Sequence, residues 1–338
     1  MNRSYWDETL LPARFDTLVI GSGIIGLSTG LHLKRRNPHF KIGVLERGLI
    51  PAGASTKNAG FACFGSLSEI AEDLDKMGEE AVLELVRERW EGLSYLRELT
   101  NSSDIGYLNN GGYEVFTKDQ KTLYESCSAQ LESVNELLKN HFGQEVFQRV
   151  DEKIAGFDFQ DVSHMIFNPF EGQLDTGKLI QVLLDLAHSA GIKVLCGAEV
   201  ANWSETDDAI AVNLNNWHSL KTEKLVVATN GFARELIPDI EVKPTRAQVL
   251  ITAPIDKLKV AGTFHLDRGF YYFRNIDGRI LLGGARQLDI ENEYTTNPDT
   301  TEAIQAALEK LLREVILPGQ SHKIEQRWTG TMGTGPSK

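Results

Sequence analysis

The chain has 338 residues, 41% of them hydrophobic and 24% charged, with 30 Gly and 10 Pro. This ordinary globular balance excludes a disordered, collagenous or low-complexity protein, and the length suffices for two packed cores. A formal net charge of −12 gains nothing from counterion release on nucleic acid and is repelled by anionic lipid, so neither is expected as a partner.

In chain order, the opening segment MNRSYWDETLLPARFD has no apolar signal-peptide core. Residues 16–20 (DTLVI) read as a strand that stops at glycines, residues 26–36 as a helix, and residues 41–46 (KIGVLE) as a second strand. Strand, helix and strand fit in about thirty residues, which is a βαβ unit with a parallel pair. The uncharged stretch 17–33 is broken by glycine, serine and histidine and is short for a span, so no transmembrane segment is expected. Residues 67–100 and 120–139 carry helical spacing, with the acidic residues of 69–98 on a solvated face. Asp175-Thr176 is a helix-start signal for residues 177–189, where Leu179, Val182, Leu183, Leu186 and Ala187 share one face and Gly191 ends the helix. A strand at 192–195 follows, then the buried-strand pattern LVVATNG at 225–231. Residues 248–252, 269–274 and 279–283 read as antiparallel strands, with Asp277-Gly278 turning the last two into a hairpin. Asp299-x-x-Glu302 fits a capping box whose helix ends before Pro318-Gly319. The order implies an α/β chain in which a nucleotide-binding domain is interrupted by a second domain.

The three cysteines, Cys63, Cys127 and Cys196, lie more than sixty positions apart, and no CxxC or Cys/His cluster has zinc-ligand spacing. No metal is expected, and scattered thiols suit a reducing, cytoplasmic setting.

The chemistry centres on Gly21-Ser22-Gly23-Ile24-Ile25-Gly26, placed directly after one strand and before a helix. Gly21 permits a tight turn, Gly23 lets the backbone approach a pyrophosphate, and Gly26 lets the helix pack close to the strand. Phosphates would then sit on unpaired amides at the helix N-terminus. Glu46 closes the second strand twenty residues past Gly26, where a carboxylate can accept both ribose hydroxyls. A glycine turn that merely packs a helix on a sheet leaves that placement of Glu46 unexplained. Residues 53–61 (GASTKNAGF) are rich in small residues and donors, suited to wrapping a long cofactor.

The sequence resembles the FAD-dependent amine and amino-acid oxidoreductases of the D-amino-acid oxidase/glycine oxidase superfamily. VIGSGIIGLSTGLHL, Glu46-Arg47, GASTKNAGF, EGQLDTGKLIQVLLDLAHSAGIKVLCGAEV, KLVVATNG, Pro244-Thr-Arg246-Ala-Gln248, GFYYFRNIDGRILLGGAR and Arg327-Trp328-Thr-Gly330 carry the likeness in the family's order. It implies a Rossmann-like FAD domain, with parallel sheet and helices, from residues 1–95, 150–235 and 320–338. An α+β substrate or cap domain with antiparallel sheet would take 96–149 and 236–319. It also implies that Gly21, Gly23 and Gly26, with Ile24 and Ile25 between them, hold the pyrophosphate. Glu46 would take the adenosine ribose, and Arg47 would lie at the adenine edge. Ser55, Thr56, Asn58, Ala59 and Gly60 would line the phosphates and flavin ring. Val200 would meet the adenine, and Ala228, Thr229 and Gly231 would support the dinucleotide. The implied reaction is hydride transfer from the carbon bearing nitrogen of a small amine or amino acid to flavin, giving an imine that hydrolyses. Electrons would then pass to oxygen or another acceptor.

Two departures qualify the resemblance. Relatives carry a carboxylate-clamping arginine soon after the Trp-x-Gly, where this chain has Met332. An amine, or an acid bound by another arginine, is therefore expected. The family also continues for several dozen residues, whereas this sequence stops at Pro336-Ser337-Lys338. Alternatives are FAD-dependent oxidation of a hydroxy acid or other alcohol, a nicotinamide-dependent dehydrogenase sharing the glycine fingerprint, and a truncated flavoprotein that no longer retains FAD. On the strand around 271–274, Tyr271 and Phe273 alternate with Tyr272 and Arg274, so only one pair faces a pocket. The resemblance favours Tyr271 as the substrate-side residue. Arg274, Arg246, Arg286 and Arg327 are candidate carboxylate partners, against solvated strand positions. Cys63 is expected near the flavin as a small buried residue, and His265 as structural, having no partner at catalytic spacing.

Overall fold

A computed structural model describes residues 4, 6–100, 104–215 and 218–336; residues 1–3 and 5 of the opening segment, and Ser337 and Lys338, lie outside them. The βαβ unit runs Arg14–Ile20, Ile24–Arg36 and Ile42–Glu46, with the two strands parallel and Val19 opposite Val44. Every residue of the second strand is buried, as a parallel strand covered on both faces requires. Six strands form this sheet, in the order Lys193–Cys196, Ile42–Glu46, Arg14–Ile20, Ser219–Val227, Ile210–Leu214 and Val200–Glu205. The first four are parallel and the last two add antiparallel.

Helix Thr176–Ser189 starts at Asp175, whose carboxylate accepts a hydrogen bond from the Lys178 amide at 3.0 Å. Its Leu179, Leu183 and Ala187 meet Leu27 and Leu31 of the first helix over Val19 and Val44. On the other face, Leu18, Ile20 and Leu45 pack with Val200, Val212 and Leu220. The glycine turn is thus held between two cores, at the carboxyl ends of parallel strands, where α/β sheets bind ligands.

The second sheet has eight strands, in the order Ile324–Thr334, Lys243–Thr252, Arg279–Gly284, Tyr271–Ile276, Thr263–Leu266, Gly112–Thr117, Val162–Asn168 and Gln148–Arg149. It is antiparallel except where 263–266 runs parallel to 112–117. The hairpin at Asp277-Gly278 is as expected, both residues having positive φ (49° and 71°), the mark of a primed turn. Phe264, Phe273, Ile280 and Leu282 cover one face together with Ile304 and Leu308 of helix Glu302–Leu311. Helices Leu67–Leu99 and Lys121–Phe142 close over Phe116 and Ile166 at the far end. The long helix opens on a Ser66/Glu69 capping box and is interrupted at Gly78, where φ is 79°.

Three expectations differ from what the fold contains. The helix at 302 is capped at Thr301 without a side-chain hydrogen bond, and the Asp299 carbonyl instead accepts a hydrogen bond from Arg246 at 2.8 Å. The strands Val162–Asn168 and Ile324–Thr334, expected with the first domain, hydrogen-bond to 112–117 and 243–252 in the second sheet. The helix at 67–99 is not solvated along all its acidic residues, since Asp73 is buried and Glu69 is half-buried. No helix among the described residues is long and apolar enough to cross a membrane.

Candidate functional site

The chain leaves the strand Arg14–Ile20 at Gly21, whose φ of 104° is open to glycine but not to a residue with a Cβ. At Gly26 a Cβ would collide with the Gly21 carbonyl, so a bare Cα is what lets the helix start this close to the turn. The turn walls a cavity of about 430 Å³, opposite Glu46 and Arg47 from the second strand's end and Val200, Ala228 and Thr229 from two others. Glu46 is anchored rather than free: its carboxylate accepts from the Ser22 amide (3.2 Å), the Ser22 hydroxyl (2.6 Å) and the Gly48 amide (2.9 Å). Arg47 lies 4.0 Å over the Phe232 ring and pairs with Glu235 at 3.2 Å, closing that end.

These residues fit a pyrophosphate-bearing dinucleotide. The first helix has no side-chain cap at Gly23 and no acid in its first turn, which leaves its amides and positive end for an anion. The Ile24 amide donates to the Ser55 hydroxyl at 2.9 Å, so Ser55 sits at that helix end. The Thr229 hydroxyl is buried on the cavity wall without a partner, a donor that a bound group would satisfy.

A second cavity of about 410 Å³ meets the first at Ala54, which lines both. Asn58, Ala59 and Gly60 form one side, and the Gly60 amide donates to Asn58 Oδ1 at 2.9 Å. Phe61 stands edge-on to both His265 (5.1 Å) and Tyr272 (5.7 Å) on the wall formed with the eight-stranded sheet. Lys57, Cys63, Glu69, Arg89, Arg286 and Met332 complete the charged and sulfur-bearing lining.

Of the residues expected from sequence, Gly21, Gly23, Glu46, Arg47, Ser55, Val200, Ala228 and Thr229 line the first cavity, and Asn58, Ala59 and Gly60 the second. Gly26 and Ile24 stand behind the turn, and the Ile25 side chain is exposed to solvent instead of facing a cavity. The Thr56 hydroxyl is turned away, bonded to the Pro51 and Gly53 carbonyls. Gly231 supports the strand 324–334, where a Cβ would meet the Met332 carbonyl.

Tyr271 does not face the second cavity. Strand parity puts Tyr272 there, packed with Phe61 and Trp328, while Tyr271 joins Phe264 and Phe273 on the opposite face. Arg274 shares the parity of Tyr272 but lies behind Gly60, off both cavity walls, 3% exposed and with its Nε unpartnered. Burial pulls its guanidinium down to about 10.

A cluster of buried polar groups backs the second cavity. His265 Nε2 lies 3.2 Å from Glu171, and these two with Cys63 bring their ligand atoms within 4.8 Å of one another. Burial disfavours the imidazolium, but the charge and hydrogen bond of Glu171, with Glu69 and Glu114 nearby, outweigh it and raise His265 to about 9. Burial, then Glu171 and Glu69, pushes the Cys63 thiol up. A protonated imidazole and a protonated thiol make this an ion pair beside a thiol at neutral pH. Below it, the Glu114 carboxyl accepts from the Ser68 amide at 3.1 Å and from its hydroxyl, and burial raises it to about 7. Sequence reasoning placed no partner on His265, because Glu171 is 94 residues away.

Comparison with known proteins shows the family and the fold. Residues 16–338 match the FAD dependent oxidoreductase family. The chain is 26% identical over 330 residues to a bifunctional ThiO/ThiG protein of Synechocystis sp., covering 93% of this chain and 44% of that protein. It is 24% identical over 284 residues to a glycine oxidase of Geobacillus kaustophilus, covering 80% and 70% of the two chains. The chain spans about half the length of the ThiO/ThiG relatives it matches. The crystal structure of the Geobacillus kaustophilus glycine oxidase superposes with a TM-score of 0.69 at 18% identity, covering 96% of this chain and 84% of that one, which is a likeness of fold. The chain belongs to the FAD dependent oxidoreductase family.

Proposed function

We infer that this chain oxidises a C–N bond of a small amine or amino acid with FAD as cofactor. The observation that supports this most is the junction at Ala54 of the cavity lined by the glycine turn and Glu46 with a second, aromatic-walled one. Gly21, Gly23 and Ser55 would hold the pyrophosphate, Glu46 the ribose, and Asn58, Ala59 and Gly60 the side of the flavin ring. When bound, FAD supplies the two-electron acceptor for the hydride on the carbon bearing nitrogen, leaving an imine that water hydrolyses.

The chain's own residues bind, orient and exclude water. Phe61, Tyr272 and Met332 give the second cavity apolar walls, which disfavour an ammonium and so favour the neutral amine that can release hydride. Burial raises the Tyr272 phenol to about 12, which keeps its proton available as a donor. His265 holds its proton against Glu171, so it is a fixed cation and not the base.

The test is to add FAD to the purified protein, follow uptake by visible absorption, and then mix it without oxygen with amines, amino acids and hydroxy acids. Flavin that is retained and bleached by amines or amino acids is the expected result. A protein that takes up no FAD, or is bleached by hydroxy acids alone, overturns the reading.

A further inference from the structure

We propose that Arg286 is the anion-binding residue of the second cavity, so that substrates carry a carboxylate or similar anionic group close to the oxidised nitrogen. This rests on the amine-oxidising reading above and deepens it. The cavity wall has five charged residues: Lys57, Glu69, Arg89, His265 and Arg286. Glu69 is engaged by the Ser66 amide and hydroxyl, each at 3.0 Å. Arg89 donates to the Phe64 carbonyl at 2.9 Å, and His265 is paired with Glu171 at 3.2 Å. Among the described residues, Lys57 and Arg286 have no hydrogen-bond or ion-pair partner for their side-chain charge. The Lys57 stem packs beside Gly330, and the residue also borders a separate hollow next to Trp328, so its ammonium is shared between two openings. Arg286 lines the second cavity and neither the first nor that hollow.

The backbone before Arg286 supplies an independent observation. Ala285 is fully buried and left-handed, with φ of 63°, a conformation that costs an alanine about 1 kcal/mol. It is held there by its amide bond to the Phe270 carbonyl at 2.8 Å. The left-handed residue ends the strand Arg279–Gly284 and turns the chain so that Arg286 leaves the sheet at the cavity. Strain of this kind persists where the surroundings enforce it, and it gathers at sites with a use for the resulting geometry. The other arginines are committed elsewhere. Arg246 is locked to Glu293 at 2.6 Å, Arg327 binds Gln305 and Glu309, and Arg274 lies behind Gly60. Arg286 and Tyr272 line the same cavity, so a guanidinium and a phenol hydroxyl serve the same space. A planar fork of donors beside a hydroxyl suits a carboxylate, and its half-buried position strengthens the charge-assisted bonds.

The experiment is calorimetric titration of acetate, propionate and cyclohexanecarboxylate, each against its primary amide, into the wild type, Arg286→Met, Arg286→Lys and Lys57→Met. It is run on flavin-loaded protein and on protein without flavin, so failure to load FAD counts against the functional reading alone. Saturable binding of at least one carboxylate but not its amide is expected. Affinity should fall roughly 10- to 100-fold in Arg286→Met, as for loss of a charged hydrogen-bond partner, with partial recovery in Arg286→Lys. Equal binding of acids and amides, no binding of any acid, or a loss confined to Lys57→Met overturns the proposal.

Discussion

Raising the pH from 6 to about 9.5 will destabilise the fold through the His265–Glu171 pair. Below 6.5 both folded and unfolded chains hold the imidazole proton, and above about 9 neither does. Between those values the folded chain keeps a proton that the unfolded chain has released, so stability is fully present below 6.5 and is lost as pH rises through about 9. The interval from 6.5 to about 9, at about 1.4 kcal/mol per pH unit, amounts to on the order of 3 kcal/mol. With an unfolding entropy of about 2 cal/mol/K per residue, a chain of this length should lose on the order of 4 °C in Tm. Other groups titrate in the same window, so the diagnostic quantity is the difference between wild type and Glu171→Gln. That variant removes the charge that holds the imidazolium against burial and leaves only a neutral amide oxygen as acceptor. Thermal unfolding followed by circular dichroism at closely spaced pH values should show the extra decline in wild type only. If Glu171→Gln declines in parallel with wild type, the pair is not what holds the proton.

Gly26→Ala forces a Cβ onto the Gly21 carbonyl, and flavin affinity in a dilution series should weaken about tenfold or more; undiminished flavin content would show that the close helix start is dispensable. Tyr272→Phe should lower kcat/KM for flavin reduction by about tenfold, the value of one lost hydrogen bond, while Tyr271→Phe changes it little. The reverse order would place the other face of the strand at the substrate. Arg274→Met removes a buried guanidinium with an unpartnered Nε, so urea unfolding should show stability unchanged or raised by about 1 to 3 kcal/mol. A clear loss would mean that Arg274 has a partner that this arrangement lacks.

The dinucleotide half of the site was legible because its requirements are local. A strand, two glycines that need bare Cα atoms and an acid at the end of the next strand all lie between residues 14 and 46. The second cavity was less legible because its walls come from segments far apart in the chain. The run Tyr271-Tyr272-Phe273 is aromatic on both faces of the sheet, one face meeting the helix-covered core and the other Phe61 and Trp328. Hydrophobic alternation therefore carried no information about which tyrosine turns to the cavity, and the resemblance pointed to Tyr271, whose ring packs on the opposite face. The Thr263–Leu266 strand escaped notice for a similar reason, since four residues with a central histidine do not look buried until Gly112–Thr117 pairs alongside them. Arg286 stood in the sequence as one of four arginines. Only the positions of Glu293, Gln305 and Glu309 separate it from Arg246 and Arg327.

The strand Ile324–Thr334 touches everything that matters here. Thr331 lines the first cavity and Met332 the second, the Gly333 amide is held by Asn230 at 2.8 Å, and the Trp328 indole donates to the Lys57 carbonyl at 2.9 Å. Among the described residues it hydrogen-bonds to one neighbouring strand of its sheet. A ribbon shared in this way couples the two occupants through entropy. Whichever binds first restrains the strand, and the second then meets a chain that has already lost that freedom. Cofactor and substrate should therefore bind with positive cooperativity even if no atom changes its mean position, and amide exchange across residues 328–333 should slow when either one is bound.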